Sequence, residues 1–216
     1  LWKKVHTVRK YYELGYNHQE MLEGRYPSGP DVRAALLLCM ATTGWNPAVL
    51  LGLNVQEPFI ETHPKDPTRY ILRGYKARAG GTEQISEGLI KTQGSAATVI
   101  KTLIVRTAPL RAQLVAQAKE LRQQHDAAAP ADRDAIAAEI ESIEEGIRSP
   151  WLYVSAVLTG IHWLTNSRNE TAEFLSTFIR EINLRQAPDR QIADLKPTDL
   201  RDAYAAHIYN SNGGSI

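Results

Sequence analysis

The sequence predicts a mainly α (α+β) fold in which a small three-stranded antiparallel sheet interrupts a series of helices. Three segments, Phe59–Thr62, Arg69–Arg78 and Thr82–Ser86, alternate in polarity or are rich in β-forming residues, whereas the flanking chain carries apolar residues at helical spacing. A helical hairpin is expected at residues 109–147. With 216 residues, 43% of them hydrophobic, the chain is expected to form one domain over residues 1–216.

Before the sheet, the pattern predicts three helices. Leu1–Leu14 is a short basic helix. Asp31 is the expected N-cap of a buried helix over Val32–Met40, which Gly44 ends. Asn46–Pro47 begins the next helix, since proline is favoured in a first turn.

Turn residues divide the predicted strands, and helices follow them. Gly80–Gly81 closes the hairpin between the second and third strands. Helices are expected at Ala96–Val105, Glu170–Asn183 and Pro197–Asn210, whereas Trp151–Trp163 is apolar and receives no assignment.

The predicted hairpin consists of helices Pro109–His125 and Asp132–Ile147, joined at Ala127–Ala131. Its expected seam pairs four isoleucines spaced 4, 3 and 4 with a facing apolar stripe: Ile136, Ile140, Ile143, Ile147, and Leu110, Leu114, Ala118, Leu121. Lys119–Ile147 holds three basic and eight acidic residues, a net charge of −5, which leaves +6 on the rest of a chain whose total is +1. A basic body with an acidic appendage is compatible with phosphate binding, and solvated helix faces explain the same pattern.

Several kinds of site are excluded by the residue pattern. The six histidines show no i, i+4 pairing and no neighbouring cysteine, so no metal site is expected. Phosphate-binding glycine loops, dinucleotide fingerprints and nucleophile elbows are missing. The single cysteine, Cys39, excludes an internal disulfide and is expected to be buried. No apolar run approaches the roughly 18–20 residues of a membrane helix, and no signal peptide is recognised, so a cytoplasmic protein is expected.

Three segments, in order along the chain, resemble the landmarks of the catalytic domain of tyrosine recombinases (the phage-integrase type). Ala41–Leu53 is similar to the family's helix, Thr-Gly-x-Arg turn and following helix, and Leu72–Thr82 to the hairpin that bears a catalytic lysine. Lys196–Ala206 resembles the His-x-Leu-Arg-His-Thr-Phe-Ala box, and Gly213–Ile216 the turn that follows it. The resemblance spans residues 31–216 and implies the helical catalytic-core fold, with the hairpin inserted.

The resemblance implies DNA breaking and rejoining through a phosphotyrosine intermediate. In this chemistry a tyrosine attacks a DNA phosphodiester, two arginines stabilise the charge on the phosphate oxygens, a lysine protonates the leaving 5′ oxygen, and a histidine assists proton transfer. No cofactor is implied. The implied partner is double-stranded DNA, with a homotetramer at synapsis and an association with the nucleoid.

Four residues take positions of the family's catalytic set. Arg201 matches the second arginine and Lys76 the hairpin lysine, whereas Asn46 stands where the first arginine belongs and Thr198 where the histidine belongs. The nucleophilic tyrosine is expected beyond Ile216.

Other cations and simpler structural roles compete with this assignment. A register slip would put Arg73 or Arg78 in place of the lysine, and both, with Lys91, are candidate DNA-binding residues. Arg201 could instead pair with Asp199 or Asp202, and Lys76 could be a solvated strand residue. Asn46 and Thr198 have helix caps as structural alternatives. Tyr204 is a tempting nucleophile, but it falls on the core-facing aromatic position of the box and is expected to pack.

Three functions therefore remain open from the sequence. The first is a DNA-binding recombinase or integrase domain that acts in DNA integration or recombination. The second is a degenerate relative that binds DNA as an architectural factor, which Asn46 and Thr198 favour. The third is a helical protein-interaction module without DNA, which the near-neutral net charge favours.

Overall fold

A computed structural model describes residues 18–76, 81–155, 160–165 and 170–213. The helices are α1 (His18–Arg25), α2 (Gly29–Thr43), α3 (Pro47–Leu51), α4 (Ala96–Ala127), α5 (Pro130–Arg148), α6 (Glu170–Asn183) and α7 (Pro197–Ser211). The strands are β1 (Ile60–Thr62), β2 (Arg69–Lys76), β3 (Thr82–Leu89), β4 (Leu152–Ser155) and β5 (Gly160–Trp163). This arrangement confirms the predicted mainly α (α+β) class with its small antiparallel sheet.

The internal contacts divide the chain into two compact units. Unit 1 comprises Leu1–Val32 and Leu103–Trp163, and unit 2 comprises Arg33–Thr102 and Leu164–Ile216. The single domain expected over residues 1–216 stays a prediction. The helix expected at Leu1–Leu14 lies outside the described residues.

The first turn of α2 corrects the predicted cap. The helix begins at Gly29, so Ser28 is its N-cap, and Asp31 lies in the first turn. The Asp31 carboxylate accepts hydrogen bonds from the Ser28 backbone N–H (2.9 Å) and hydroxyl (2.8 Å), while the Asp31 N–H donates to the Ser28 hydroxyl (3.3 Å). These reciprocal bonds form a capping box with an acidic residue at its third position. The prediction of Asp31 as the N-cap was wrong, because the helix begins three residues before Val32 and Asp31 is its third residue.

The three-stranded sheet of unit 2 has the order β1-β2-β3, and both pairings are antiparallel. Residues on one face of β2 are buried, including Tyr70 and Leu72. Helix α2 contributes to the core of the unit through Leu36, Cys39 and Met40, all with no measurable exposure. Burial raises the pKa of the Cys39 thiol to about 12, so this cysteine behaves as a small apolar residue, as expected.

The helical hairpin of unit 1 forms the predicted seam. Leu110, Leu114, Ala118 and Leu121 of α4 pack in one cluster with Ile143 and Ile147 of α5, and Ile136 and Ile140 extend it as partly buried residues. The same cluster includes Leu22 and Tyr26 of the α1 region and Leu152 and Val154 of β4. The base of the hairpin is therefore packed within unit 1.

A continuous helix α4 replaces the two helices predicted on either side of Pro109. The prediction of a break was wrong because the buried stripe runs through the proline without interruption, at Leu103, Thr107, Leu110 and Leu114. Proline inside a helix costs about 3 kcal/mol. The Val105 carbonyl has no N–H at Pro109 to accept from, and it belongs to a residue that is 74% exposed.

The unassigned segment Trp151–Trp163 contains the two-stranded ribbon β4–β5. Trp163 lies against Gly146 of α5, where an added Cβ would come within 2.6 Å of its ring. Only glycine at position 146 allows this close contact between helix and ribbon. Helix α6 has the bounds that the sequence predicted, and α7 differs by one residue at its end.

Arg111 joins the two helices of the hairpin at their base. Its Nε donates to the Ile147 carbonyl (3.0 Å) and its Nη2 to the Ser149 carbonyl (2.8 Å), so one guanidinium caps the C-terminal end of α5. Desolvation lowers the pKa of Arg111, which is consistent with its partly buried position.

We predict that Arg111→Ala lowers the free energy of unfolding by about 2–3 kcal/mol, since two carbonyls lose a charged donor. Arg122→Ala is the matched control on the same helix, because its ion pair with Glu144 is solvent-exposed and worth about 0–1 kcal/mol. Urea titrations monitored by circular dichroism measure both. Equal losses of unfolding free energy in the two variants would show that the Arg111 hydrogen bonds contribute no more than an exposed ion pair.

Candidate nucleic-acid interface

The site is built around the turn that follows α2. Gly44 has a left-handed backbone (φ +68°) and its N–H donates to the Met40 carbonyl (2.9 Å), which ends the helix where the sequence predicted. The Thr43 hydroxyl donates to the Cys39 carbonyl (2.7 Å) and accepts from the Trp45 N–H (3.1 Å). Both sides of the turn are thus fixed by hydrogen bonds.

Asn46 is the N-cap of α3. Its Oδ1 accepts from the Ala48 N–H at 3.0 Å, and Pro47 occupies the first helical position. The cap that the sequence offered as an alternative role is therefore present. Since the side-chain carbonyl is used in this way, only the uncharged amide NH₂ remains to contact an anion.

The hairpin β2–β3 lies directly against this turn. A Cβ added at Gly74 would be 2.6 Å from Val49 Cγ1 and 2.7 Å from Trp45 Cζ3, so the backbone of β2 contacts both side chains. Glycine is required there by the closeness of the approach. The second motif segment is consequently packed on the first.

Strand alternation separates the cations of the hairpin. Lys76 has the same parity as Gly74, so it belongs to the sheet face that packs on Trp45, and Arg73 belongs to the opposite, outer face. Lys76 is exposed, and its side chain makes no hydrogen bond or ion pair with any residue in the described ranges. Arg78 lies outside the described residues. Between Arg73 and Lys76, only the lysine is on the face of the turn.

On the outer face, Arg73 is held by two carboxylates. Its Nη1 donates to Glu83 at 2.8 Å and its Nε lies 3.6 Å from Glu61. The hydrogen bond and charge of Glu83, with a smaller contribution from Glu61, raise the pKa of Arg73. These cross-strand pairs give Arg73 a structural role in the sheet, and its role in DNA binding stays a prediction. Lys91 is exposed in the turn after β3.

Helix α7 brings Arg201 to the turn. The Arg201 Nε donates to the Gly44 carbonyl at 3.2 Å. Neither Asp199 nor Asp202 forms an ion pair with it in the described part of the chain, and Asp199 instead accepts from the Lys196 N–H (2.8 Å). The arginine of the third motif thus contacts Gly44, which is two residues before Asn46 in the first motif.

Tyr204 packs on Gly44 one helical turn after Arg201. A Cβ added at Gly44 would be 2.5 Å from Tyr204 Cδ1, so the ring lies directly on the glycine backbone. This contact confirms the packing role that the sequence favoured over nucleophilic attack.

Thr198 is exposed in the first turn of α7, three residues before Arg201 and on the same helix face. Its predicted cap role was wrong, because Lys196 is the N-cap and Asp199 satisfies the cap backbone. The hydroxyl of Thr198 offers a hydrogen bond but does not titrate near neutral pH.

The structure therefore brings Asn46, Arg201 and the strand face of Lys76 to one turn, with Thr198 on the same side of α7. The Gly44 carbonyl, which orients Arg201, was missed from the sequence. A glycine after a helix predicts a left-handed turn, but it does not predict which distant side chain its carbonyl will accept.

Two further findings bear on function. Within residues 18–76, 81–155, 160–165 and 170–213, no group of three or more histidine, cysteine, aspartate or glutamate side chains is arranged to hold a metal ion. None of the helices in these ranges combines the length and apolar character needed to cross a bilayer.

Comparison with known proteins gives no relative: no family model, no curated protein and no solved structure matches the chain.

We predict that Asn46→Ala lowers the free energy of unfolding by about 1 kcal/mol because α3 loses its cap, whereas Asn46→Asp leaves it nearly unchanged. Chemical denaturation of both variants measures the difference. A loss in Asn46→Asp as large as in Asn46→Ala would mean that capping is not what position 46 contributes.

Proposed function

We propose that this chain is the DNA-binding body of a site-specific recombinase or integrase of the tyrosine type. One observation carries the proposal: the three segments that resemble the family's motifs meet at the Gly44 turn. Arg201 reaches this turn from 157 positions away, and Gly74 of the hairpin contacts Trp45 within it. A phosphate site assembled from distant motifs requires such a meeting.

The chemistry of the assembled side chains fits a phosphodiester. The Arg201 guanidinium is a permanent cation whose planar fork matches two phosphate oxygens. Lys76, on the hairpin face next to the turn, is a proton donor for a leaving 5′ oxygen. Double-stranded DNA is the proposed partner, with a homotetramer at synapsis and an association with the nucleoid. The acidic face of the hairpin α4–α5 would be repelled by DNA and is assigned to solvent or a protein neighbour.

A second candidate function, DNA binding without cleavage, is favoured by Asn46. Its side-chain carbonyl caps α3 and it carries no charge, although the family has an arginine there. Loss of one oxyanion donor typically costs about 10²–10³ in rate. Arg73 does not replace the missing charge, because it lies on the outer face with Glu83 and Glu61. A protein with this site would hold DNA as an architectural factor.

We predict that the chain binds a 30-base-pair duplex with an affinity that falls steeply as salt rises. Arg201→Gln should lower the affinity about tenfold or more and reduce the slope of log K against log salt by about 0.9, the value for one phosphate contact. Fluorescence anisotropy at several salt concentrations measures both quantities.

Arg73→Gln removes the same charge from the outer face of the sheet, so it tests the DNA-binding role that the sequence predicts for Arg73. If the DNA lies only on the face of the Gly44 turn, the affinity and salt slope of this variant stay near those of the unchanged chain. If Arg73→Gln causes the larger loss, the DNA contacts the outer face and the proposed site is wrong. Binding that is indifferent to salt would contradict DNA binding altogether and favour the interaction-module hypothesis.

The catalytic and architectural candidates differ in the expected behaviour of a protein that combines this chain with the nucleophilic tyrosine that the resemblance implies. On a nicked duplex, a recombinase accumulates a covalent protein–DNA adduct that is visible on a denaturing gel. Arg201→Gln should lower the rate of adduct formation about 10²–10³-fold, far more than it lowers affinity. DNA binding with no adduct from the unsubstituted protein would assign the architectural role.

A further inference from the structure

Arg201 is held by a neutral group. Its Nε donates to the Gly44 carbonyl, and no residue in the described ranges accepts a hydrogen bond from its Nη atoms. The nearby carboxylates of Asp199 and Asp202 form no ion pair with it. A carbonyl fixes the guanidinium without neutralising it, so the full positive charge stays available at the Nη edge.

The position of this carbonyl depends on two features of Gly44. Its φ of +68° turns the backbone in a way that favours glycine, and Tyr204 occupies the space where a Cβ would lie. Arg201 and Tyr204 are three residues apart on α7, so they share one helix face. The face therefore contacts Gly44 twice, through the Tyr204 ring and through the Arg201 Nε.

We propose that Gly44 and Tyr204 are positioning residues for Arg201: the ring of Tyr204 seats α7 on Gly44, and the Gly44 carbonyl holds the guanidinium by Nε so that its Nη edge is presented to a phosphate. The choice of a DNA phosphate as the anion rests on the proposed function. The holding contact itself belongs to the free protein.

The hydrogen bond to the Gly44 carbonyl fixes the long Arg201 side chain, which would otherwise be mobile. An arginine whose Nε is bonded has fewer rotamers to lose when it binds, so less ordering opposes the binding of an anion. The Tyr204 hydroxyl has no hydrogen-bond partner in the part of the chain that the structure describes, so the ring alone makes the contact. Phenylalanine should therefore replace tyrosine without loss.

The test is a double-mutant cycle with duplex affinity as the readout. Tyr204→Phe should bind within about twofold of the unchanged chain, and Tyr204→Ala should lose about as much affinity as Arg201→Gln, roughly tenfold or more. The double variant Tyr204→Ala with Arg201→Gln should bind no more weakly than Arg201→Gln alone, because both changes remove one interaction. Independent, multiplying losses would overturn the proposal.

Arg201→Lys gives a second cycle that is less sensitive to folding. Lysine keeps the charge but has no Nε–H to donate to the Gly44 carbonyl. We expect Arg201→Lys to lose most of the affinity lost by Arg201→Gln, and Tyr204→Ala to add little to it. Full affinity in Arg201→Lys would show that the Nε contact does not position the charge.

A measurement without DNA separates this proposal from the proposed function. The ¹⁵Nε–Hε resonance of Arg201, identified by its loss in Arg201→Lys, should exchange slowly with solvent in the free protein and in Tyr204→Phe. In Tyr204→Ala it should exchange quickly. A Tyr204-dependent exchange rate in a chain that does not bind DNA would refute the function and keep the positioning contact. Salt-dependent DNA binding together with an exchange rate that Tyr204→Ala leaves unchanged would support the function and refute the positioning contact.

Discussion

The left-handed turn at Gly44 is the constraint on which the arrangement of unit 2 depends. It ends α2 and leads into α3, and its carbonyl accepts no backbone hydrogen bond within a helix. That carbonyl accepts from Arg201 instead. Because the residue has no side chain, Tyr204 of α7 lies directly on it. One backbone conformation thereby serves helix termination, helix packing and the orientation of a charged side chain.

Close contacts at glycines recur through the fold. Gly74 admits Trp45 and Val49 against the sheet, and Gly146 admits Trp163 against the hairpin helix. In each case an aromatic ring meets backbone without an intervening side chain, which lets large apolar surfaces pack closely. At Gly44, Gly74 and Gly146 the two elements are close together because a glycine faces an aromatic ring.

The sequence predicted the elements whose signals are local and periodic, such as the seam containing Ile143 and Ile147 and the strands paired in the hairpin. It failed where a local rule met a stronger non-local one. Pro109 predicted a break, but the buried stripe on both sides of it kept α4 continuous. The caps predicted at Asp31 and Thr198 were also wrong, because a cap depends on which backbone N–H each side-chain oxygen accepts from.

For the site, residue types at motif spacing were enough to select Asn46, Lys76 and Arg201. The structure brings Arg201 to the turn that precedes Asn46 and puts Lys76 on the strand face that packs on Trp45. The sequence also offered the cap at Asn46, because its partner is only two residues away. It did not reveal that Arg73 is paired across strands, since those partners lie on other strands whose geometry a single sequence does not contain. The proposed function rests on the resemblance and on this meeting of segments.

The contact between Arg201 and Gly44 joins residues 157 positions apart. This separation bears on the order in which parts of the chain fold. Closing so long a loop is entropically costly, so contacts of this kind tend to form after local helices and hairpins are in place. The turn at Gly44 and helix α7 form from their own neighbours, whereas their meeting belongs to the end of folding. A newly made chain would therefore have its secondary structure in place before Arg201 is bonded to Gly44.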